Sequence, residues 1–122
     1  ECRRILCFHL CLYLSLEKNL EASTSLPRGA FEVEHTTSIY SGIVRLLDLA
    51  LGSDQSTKKH LFLVAPDNRE ADVRTQLARP AFSRVSELGI RYVPYTSLQE
   101  HRENIARFGV GIKPIDAIAK LL

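Results

Sequence analysis

The sequence predicts an α/β protein of three layers, in which helices flank a central mixed sheet. Residues 61–65 form a continuous apolar run, which is typical of an interior strand covered on both faces. Residues 30–36 have the alternating character of a second strand, whereas residues 38–51 carry apolar side chains at helical spacing. Strands that alternate with helices favour a layered arrangement around one sheet.

The other elements follow from local patterns. Residues 5–16 are apolar without a clear period and are compatible with a strand or a helix, and the polar residues 17–29 predict a loop. Helical spacing over residues 69–88 predicts a helix that Pro80 kinks or splits. Residues 90–95 predict a further strand.

Two helix starts are indicated near the C-terminal end. Ser97 and Glu100 have the spacing of a capping box, which predicts a helix that opens there and extends to about Phe108. Pro114 suits the first position of a last short helix, predicted to end at Leu122.

Composition restricts the class of protein. A chain of 122 residues with 45% hydrophobic and 25% charged residues is ordinary for one soluble domain or part of one. The net charge of +2 permits a nucleic-acid partner without requiring one. Because the chain contains no Met, we expect a fragment or a processed product. We divide it into a divergent or truncated segment, residues 1–28, and a core domain, residues 29–122.

The cysteines all lie near the start of the chain. Cys2, Cys7 and Cys11 are an odd number confined to one segment, which does not make a disulfide framework. We expect reduced, buried cysteines and a cytoplasmic protein. Arg3-Arg4 before the apolar run imitates a signal peptide, but the run is short, and a buried strand or helix is the preferred interpretation.

Glu32 and Glu34 are the most informative pair in the chain. Side chains alternate along a strand, so both glutamates are expected on one face, with His35 on the other. Two neighbouring carboxylates near a core repel each other unless a positive group compensates, and Mg²⁺ prefers carboxylate oxygens. The pattern predicts a metal site, and the alternative is a solvent-facing pair offset by Lys or Arg. His35 is expected to be a hydrogen-bonded core histidine.

The motif that contains this pair has a known relative. Residues 31–42 (FEVEHTTSIYSG), with Arg45 and Asp48-Leu49 after them, resemble a motif block of small restriction-endonuclease-like domains. Residues 64–66 and 79–82 fall where that group has similar segments. The chain therefore resembles the PD-(D/E)xK nuclease superfamily over about residues 29–119, and the resemblance implies a restriction-endonuclease-like fold for the core domain.

The resemblance also implies roles for the site residues. Superfamily members bind Mg²⁺ through acidic residues, and the metal polarises the scissile phosphate and helps produce the attacking hydroxide. Glu32 maps to the acidic ligand, and Glu34 stands at the lysine position, where it would be a second ligand or orient the water. Arg45 would supply the missing positive charge near the phosphate. The alternative for Arg45 is a surface ion pair with Asp48.

One expected ligand is absent from the pattern. The preceding strand should carry an Asp, yet residues 5–16 contain no acidic residue, and Glu17 is the nearest candidate metal ligand. Asp67 follows Pro66 but comes after the wrong strand, and helix capping with Glu70 at box-like spacing explains it.

Two functions follow from these residues. The first is a Mg²⁺-dependent DNA endonuclease-like domain that hydrolyses phosphodiester bonds and is impaired by the missing ligand. The second is a non-catalytic DNA-binding or interaction module of the same fold.

Overall fold

The structure is a computed structural model that describes residues 29–52, 60–83 and 86–122. The predictions for residues 1–28 lie outside the described residues: the divergent or truncated segment, the apolar element at residues 5–16, the loop that begins at residue 17, the reduced cysteines, and Glu17 as a ligand. The described residues form a small α/β protein with a parallel sheet and helices.

The sheet has three described strands in the order β1-β2-β3. They are β1 (Gly29–Val33), β2 (His60–Ala65) and β3 (Ile90–Pro94). Both neighbouring pairs are parallel, with Phe31 opposite Phe62 and Phe62 opposite Arg91. Our prediction of a mixed sheet is therefore wrong for the described strands, because each connection crosses over through helices and returns the chain in the same direction. The antiparallel pairing seen among these residues is a single bridge between Tyr92 and Lys120.

In the described part of the chain, five helices and two short 3₁₀ turns, Asp67–Arg69 and Ser86–Leu88, surround the sheet. The helices are α1 (Ile39–Gly52), α2 (Glu70–Leu77), α3 (Pro80–Ser83), α4 (Tyr95–Phe108) and α5 (Lys113–Ile118). None of the described helices combines the length and apolarity needed to cross a membrane.

The core consists of two apolar clusters that use alternate residues of the strands. Leu61, Leu63 and Ala65 of β2 pack with α1 and α2, whereas Phe62 and Val64 pack with α4 and α5. Helices therefore cover both sides of the sheet, and they bury β2 on both faces, as the unbroken apolar run of β2 predicts.

Pro80 divides the predicted long helix. Helix α2 ends at Leu77 and α3 begins at Pro80, so the prediction of a split is confirmed. Proline has no N–H for the preceding turn, which explains why the break falls at this residue.

The start of α4 differs from the prediction. We placed a capping box at Ser97, but α4 begins at Tyr95, directly after the last strand residue. The N–H of Thr96 donates a hydrogen bond to a carboxylate oxygen of Asp67, at 3.1 Å. Asp67 therefore caps α4, a helix that is distant in the sequence.

The end of α5 also differs from the prediction. The helix ends at Ile118, not at Leu122. The backbone of Lys120 instead exchanges two hydrogen bonds with Tyr92, of 2.9 and 2.7 Å. Pairing with the edge of β3 satisfies backbone groups that a longer helix would have satisfied internally.

Candidate functional site

Glu32 and Glu34 lie on one face at the carboxyl end of β1, as predicted. The N–H of Glu34 donates to the carbonyl of Val64 at 2.8 Å, so pairing with β2 continues one residue beyond the end of β1. The strand alternation therefore includes both glutamates. The side chain of Glu32 is 28% exposed and that of Glu34 is 1% exposed, so one carboxylate is accessible and the other is buried.

Arg45 of α1 joins the two carboxylates. Its Nε donates to Oε2 of Glu32 at 3.0 Å, and its Nη2 donates to Oε1 of Glu34. The positive group beside the two carboxylates in the structure is therefore a guanidinium, as in the alternative of an arginine partner, although Glu34 is buried and does not face solvent. Arg45 thus faces the glutamates, and the alternative interpretation, an ion pair with Asp48, is not what the structure shows.

The buried carboxylate of Glu34 is held from two further sides. The hydroxyl of Thr37 donates to its second oxygen, Oε2. On the side of α1, Gly42 provides the space, because a Cβ built there would lie 2.6 Å from Oε1 of Glu34. Both oxygens of Glu34 therefore have partners, which a buried carboxylate requires.

Arg69 was not singled out from the sequence, yet it organises the loop after β1. Its Nη1 donates to the carbonyls of Glu34, His35 and Thr37 at 3.2, 3.3 and 2.7 Å. Its Nη2 pairs with Asp72 at 3.0 Å. The sequence shows that Arg69 follows β2, but only the parallel pairing of β1 with β2 brings it to the loop after β1.

The environment of Glu34 changes its protonation. Burial raises the pKa of Glu34, and the negative charge of Glu32 adds to the rise, while Arg45 and Arg69 lower the pKa without cancelling it. The hydrogen bond to Glu32 raises the pKa of Arg45, so the guanidinium stays charged. The site therefore contains a firmly charged cation beside a carboxylate that binds a proton more readily than usual.

His35 lies on the opposite face, away from the glutamates. Its ring stacks on Tyr95 with the centroids 5.7 Å apart. The prediction that it points away is confirmed. The predicted hydrogen bond is not seen at Nδ1, which is buried and has no partner among the described residues.

The donor set at the site suits a hard cation only in part. Glu32 and Glu34 offer carboxylate oxygens, which Mg²⁺ prefers, and Mg²⁺ commonly binds through one or two carboxylates while water and substrate phosphates complete its shell. Within the described ranges, no group of three or more His, Cys, Asp or Glu side chains is placed to hold a metal ion. The two glutamates therefore fit as a pair of ligands that needs further oxygens from outside the described residues.

A comparison with protein families places these residues in a wider context. The family model of the type II restriction enzyme NmeDI C-terminal domain matches residues 11–120. The chain belongs to this family. It is a restriction-endonuclease-related family, and the match includes the whole of the Glu32, Glu34 and Arg45 cluster. No curated protein and no solved structure matches the chain significantly.

Proposed function

We propose that this chain is a DNA-directed endonuclease-like domain that hydrolyses phosphodiester bonds with the help of Mg²⁺. The observation that carries the proposal is the pair Glu32 and Glu34, which share Arg45 on one face at a strand end, in a member of the NmeDI C-terminal domain family. We further propose that the domain has the three-layer fold of the PD-(D/E)xK superfamily. The helices on both faces of a sheet support this assignment.

Each residue of the cluster has a role in this proposal. Glu32 and Glu34 would hold the cation, which when bound polarises the phosphate and lowers the pKa of a water molecule. Arg45 would bind a phosphate oxygen through its planar guanidinium. Arg69 and Thr37 orient Glu34 by the hydrogen bonds described above. Glu17, outside the described residues, is proposed as an additional ligand.

A non-catalytic DNA-binding module is the second candidate, and one observation favours it. Arg45 already pairs with both carboxylates, and the described residues supply no third acidic ligand. Such a site would keep its charge pattern without tight cation binding. DNA would then contact the exposed arginine side chains of the surface.

The test is metal-dependent nicking of supercoiled plasmid by the wild type, Glu32→Gln and Glu34→Gln. We expect slow nicking in Mg²⁺ or Mn²⁺ that both variants lose, because each removes one of two ligands. Glu103→Gln is the matched control, since Glu103 is an exposed glutamate of α4 outside the cluster. Retarded migration of DNA without nicking by any form would instead support the module.

A further inference from the structure

We infer that Arg45 gates the cation site: its guanidinium occupies both carboxylates until a DNA phosphate draws it away, so cation and DNA bind cooperatively. This inference rests on the proposed function, because it specifies how that same site is regulated. It concerns the order of binding and not the hydrolytic step itself.

The first step is that the guanidinium and a metal ion need the same oxygens. Arg45 contacts Oε2 of Glu32 and Oε1 of Glu34, the one accessible carboxylate and the one buried carboxylate of the pair. A divalent cation bridging the two glutamates would lie against the guanidinium, and like charges at this distance repel strongly. The cation therefore binds both carboxylates only when Arg45 has moved.

The second step is that Arg45 can leave when a cation takes its place. Its side chain is 52% exposed and its partner Glu32 is 28% exposed. The ion pair with Glu32 is in contact with water and contributes little. Glu34 is 1% exposed, so the cation that replaces Arg45 must compensate the charge of this buried carboxylate. Glu34 keeps its hydrogen bond from Thr37 on the other oxygen, so the buried carboxylate retains a partner after Arg45 leaves.

The third step is that DNA offers Arg45 a better partner. Phosphate presents two acceptor oxygens in the planar geometry that a guanidinium matches, and such pairs are strong when bidentate. A phosphate that attracts Arg45 vacates the carboxylate oxygens for the cation. By thermodynamic linkage, DNA then raises the affinity for the cation by the same factor as the cation raises the affinity for DNA.

The experiment measures Mn²⁺ binding to the whole chain from the electron paramagnetic resonance signal of free Mn²⁺. Without DNA, we expect Arg45→Gln to bind Mn²⁺ roughly tenfold more tightly than the wild type, within the usual range of coupling between sites. Arg45→Lys should fall between them, because an ammonium group pairs with one carboxylate at a time. Arg74→Gln is the matched control and should equal the wild type, since Arg74 is a similarly exposed arginine paired with Glu70.

A second titration adds a short duplex with phosphorothioate linkages, which keeps the backbone charge. The wild type should gain Mn²⁺ affinity on adding the duplex, and Arg45→Gln should gain much less. This titration of the wild type, with Arg45→Lys, keeps the inference testable where Arg45→Gln does not fold.

Two results overturn the inference in distinguishable ways. If the wild type binds Mn²⁺ as tightly as Arg45→Gln, or more tightly, Arg45 does not gate the site, although the proposed nuclease function stands. If no form binds Mn²⁺ with or without the duplex, the proposed metal-dependent function fails as well.

Discussion

Gly42→Ala tests whether α1 is built around the carboxylate of Glu34. An added Cβ would lie 2.6 Å from Oε1 and 2.8 Å from Cγ of Glu34, closer than carbon atoms approach oxygen or carbon in folded proteins. Movement of Glu34 is restricted, because its side chain is 1% exposed and both oxygens are bonded to Arg45 and Thr37. The substitution therefore displaces the carboxylate or shifts the helix.

The expected change in the free energy of unfolding of Gly42→Ala follows from two opposing effects. Alanine in a helix interior is more favourable than glycine by about 1 kcal/mol. Overpacking costs about 1–3 kcal/mol, and disturbing a buried ion pair adds to that cost. We expect Gly42→Ala to lower the free energy of unfolding by about 1–3 kcal/mol, which for a domain of this size lowers Tm by about 4–12 °C.

The assay is thermal and urea unfolding followed by circular dichroism, with a control in the same helix. Gly52 is the last residue of α1, and a Cβ there meets no atom within 4 Å, so Gly52→Ala should be neutral or stabilising. In a Glu34→Ala background the clash is absent, so Gly42→Ala should not lower the free energy of unfolding there. The reasoning is refuted if Gly42→Ala matches the wild type in stability, or if its cost is the same in both backgrounds.

Three further predictions concern the residues around Glu34. Arg69→Met should lower the free energy of unfolding by about 2–3 kcal/mol, because three carbonyls lose a charged donor. It should also speed amide hydrogen exchange in the loop after β1, and unchanged exchange there would contradict this role. Asp67→Ala should lower the free energy of unfolding by about 1 kcal/mol, because it removes the acceptor for the N–H of Thr96 at the start of α4. An unaltered midpoint of urea unfolding would show that Asp67 does not stabilise this helix. Burial raises the pKa of Glu34 above its usual 4.5, so the folded state holds that proton more tightly. The protonated Glu34 therefore contributes its full stabilisation below pH 4.5, and this contribution is lost as the pH rises through the raised pKa of the folded state. Urea unfolding should show the wild type losing stability relative to Glu34→Gln from pH 4 to 7, and a constant difference would show that the pKa is not raised.

Local patterns were sufficient for the elements near the site. Apolar residues at helical spacing predicted α1 to within one residue at each end. The apolar run predicted β2, because a strand that is buried on both faces consists almost entirely of apolar residues. Alternation along β1 placed Glu32 and Glu34 together, since a shift of one residue would move every side chain to the other face. These features depend on contacts that are close in sequence.

Features that depend on distant residues could not be predicted. Asp67 has the spacing of a local cap, yet it bonds to Thr96, which is near only because β2 and β3 are adjacent. The direction of the strands depends on the crossovers, so the sequence pattern did not distinguish a mixed sheet from a parallel one. The hydrogen bonds from Arg69 to the loop after β1 likewise form only because β1 and β2 end at the same edge of the sheet.

The charges around Glu34 explain why a cation and DNA should act together in the proposed site. Glu32, Glu34 and Asp72, which pairs with Arg69, contribute three negative charges, and Arg45 and Arg69 contribute two positive charges. A divalent cation added alone would leave a local excess of positive charge, which disfavours its binding. Each phosphodiester linkage brings one negative charge and oxygen ligands for both the cation and Arg45. The cluster alone therefore carries one excess negative charge, the cation alone changes this to one excess positive charge, and the cation with one phosphodiester linkage leaves no net charge.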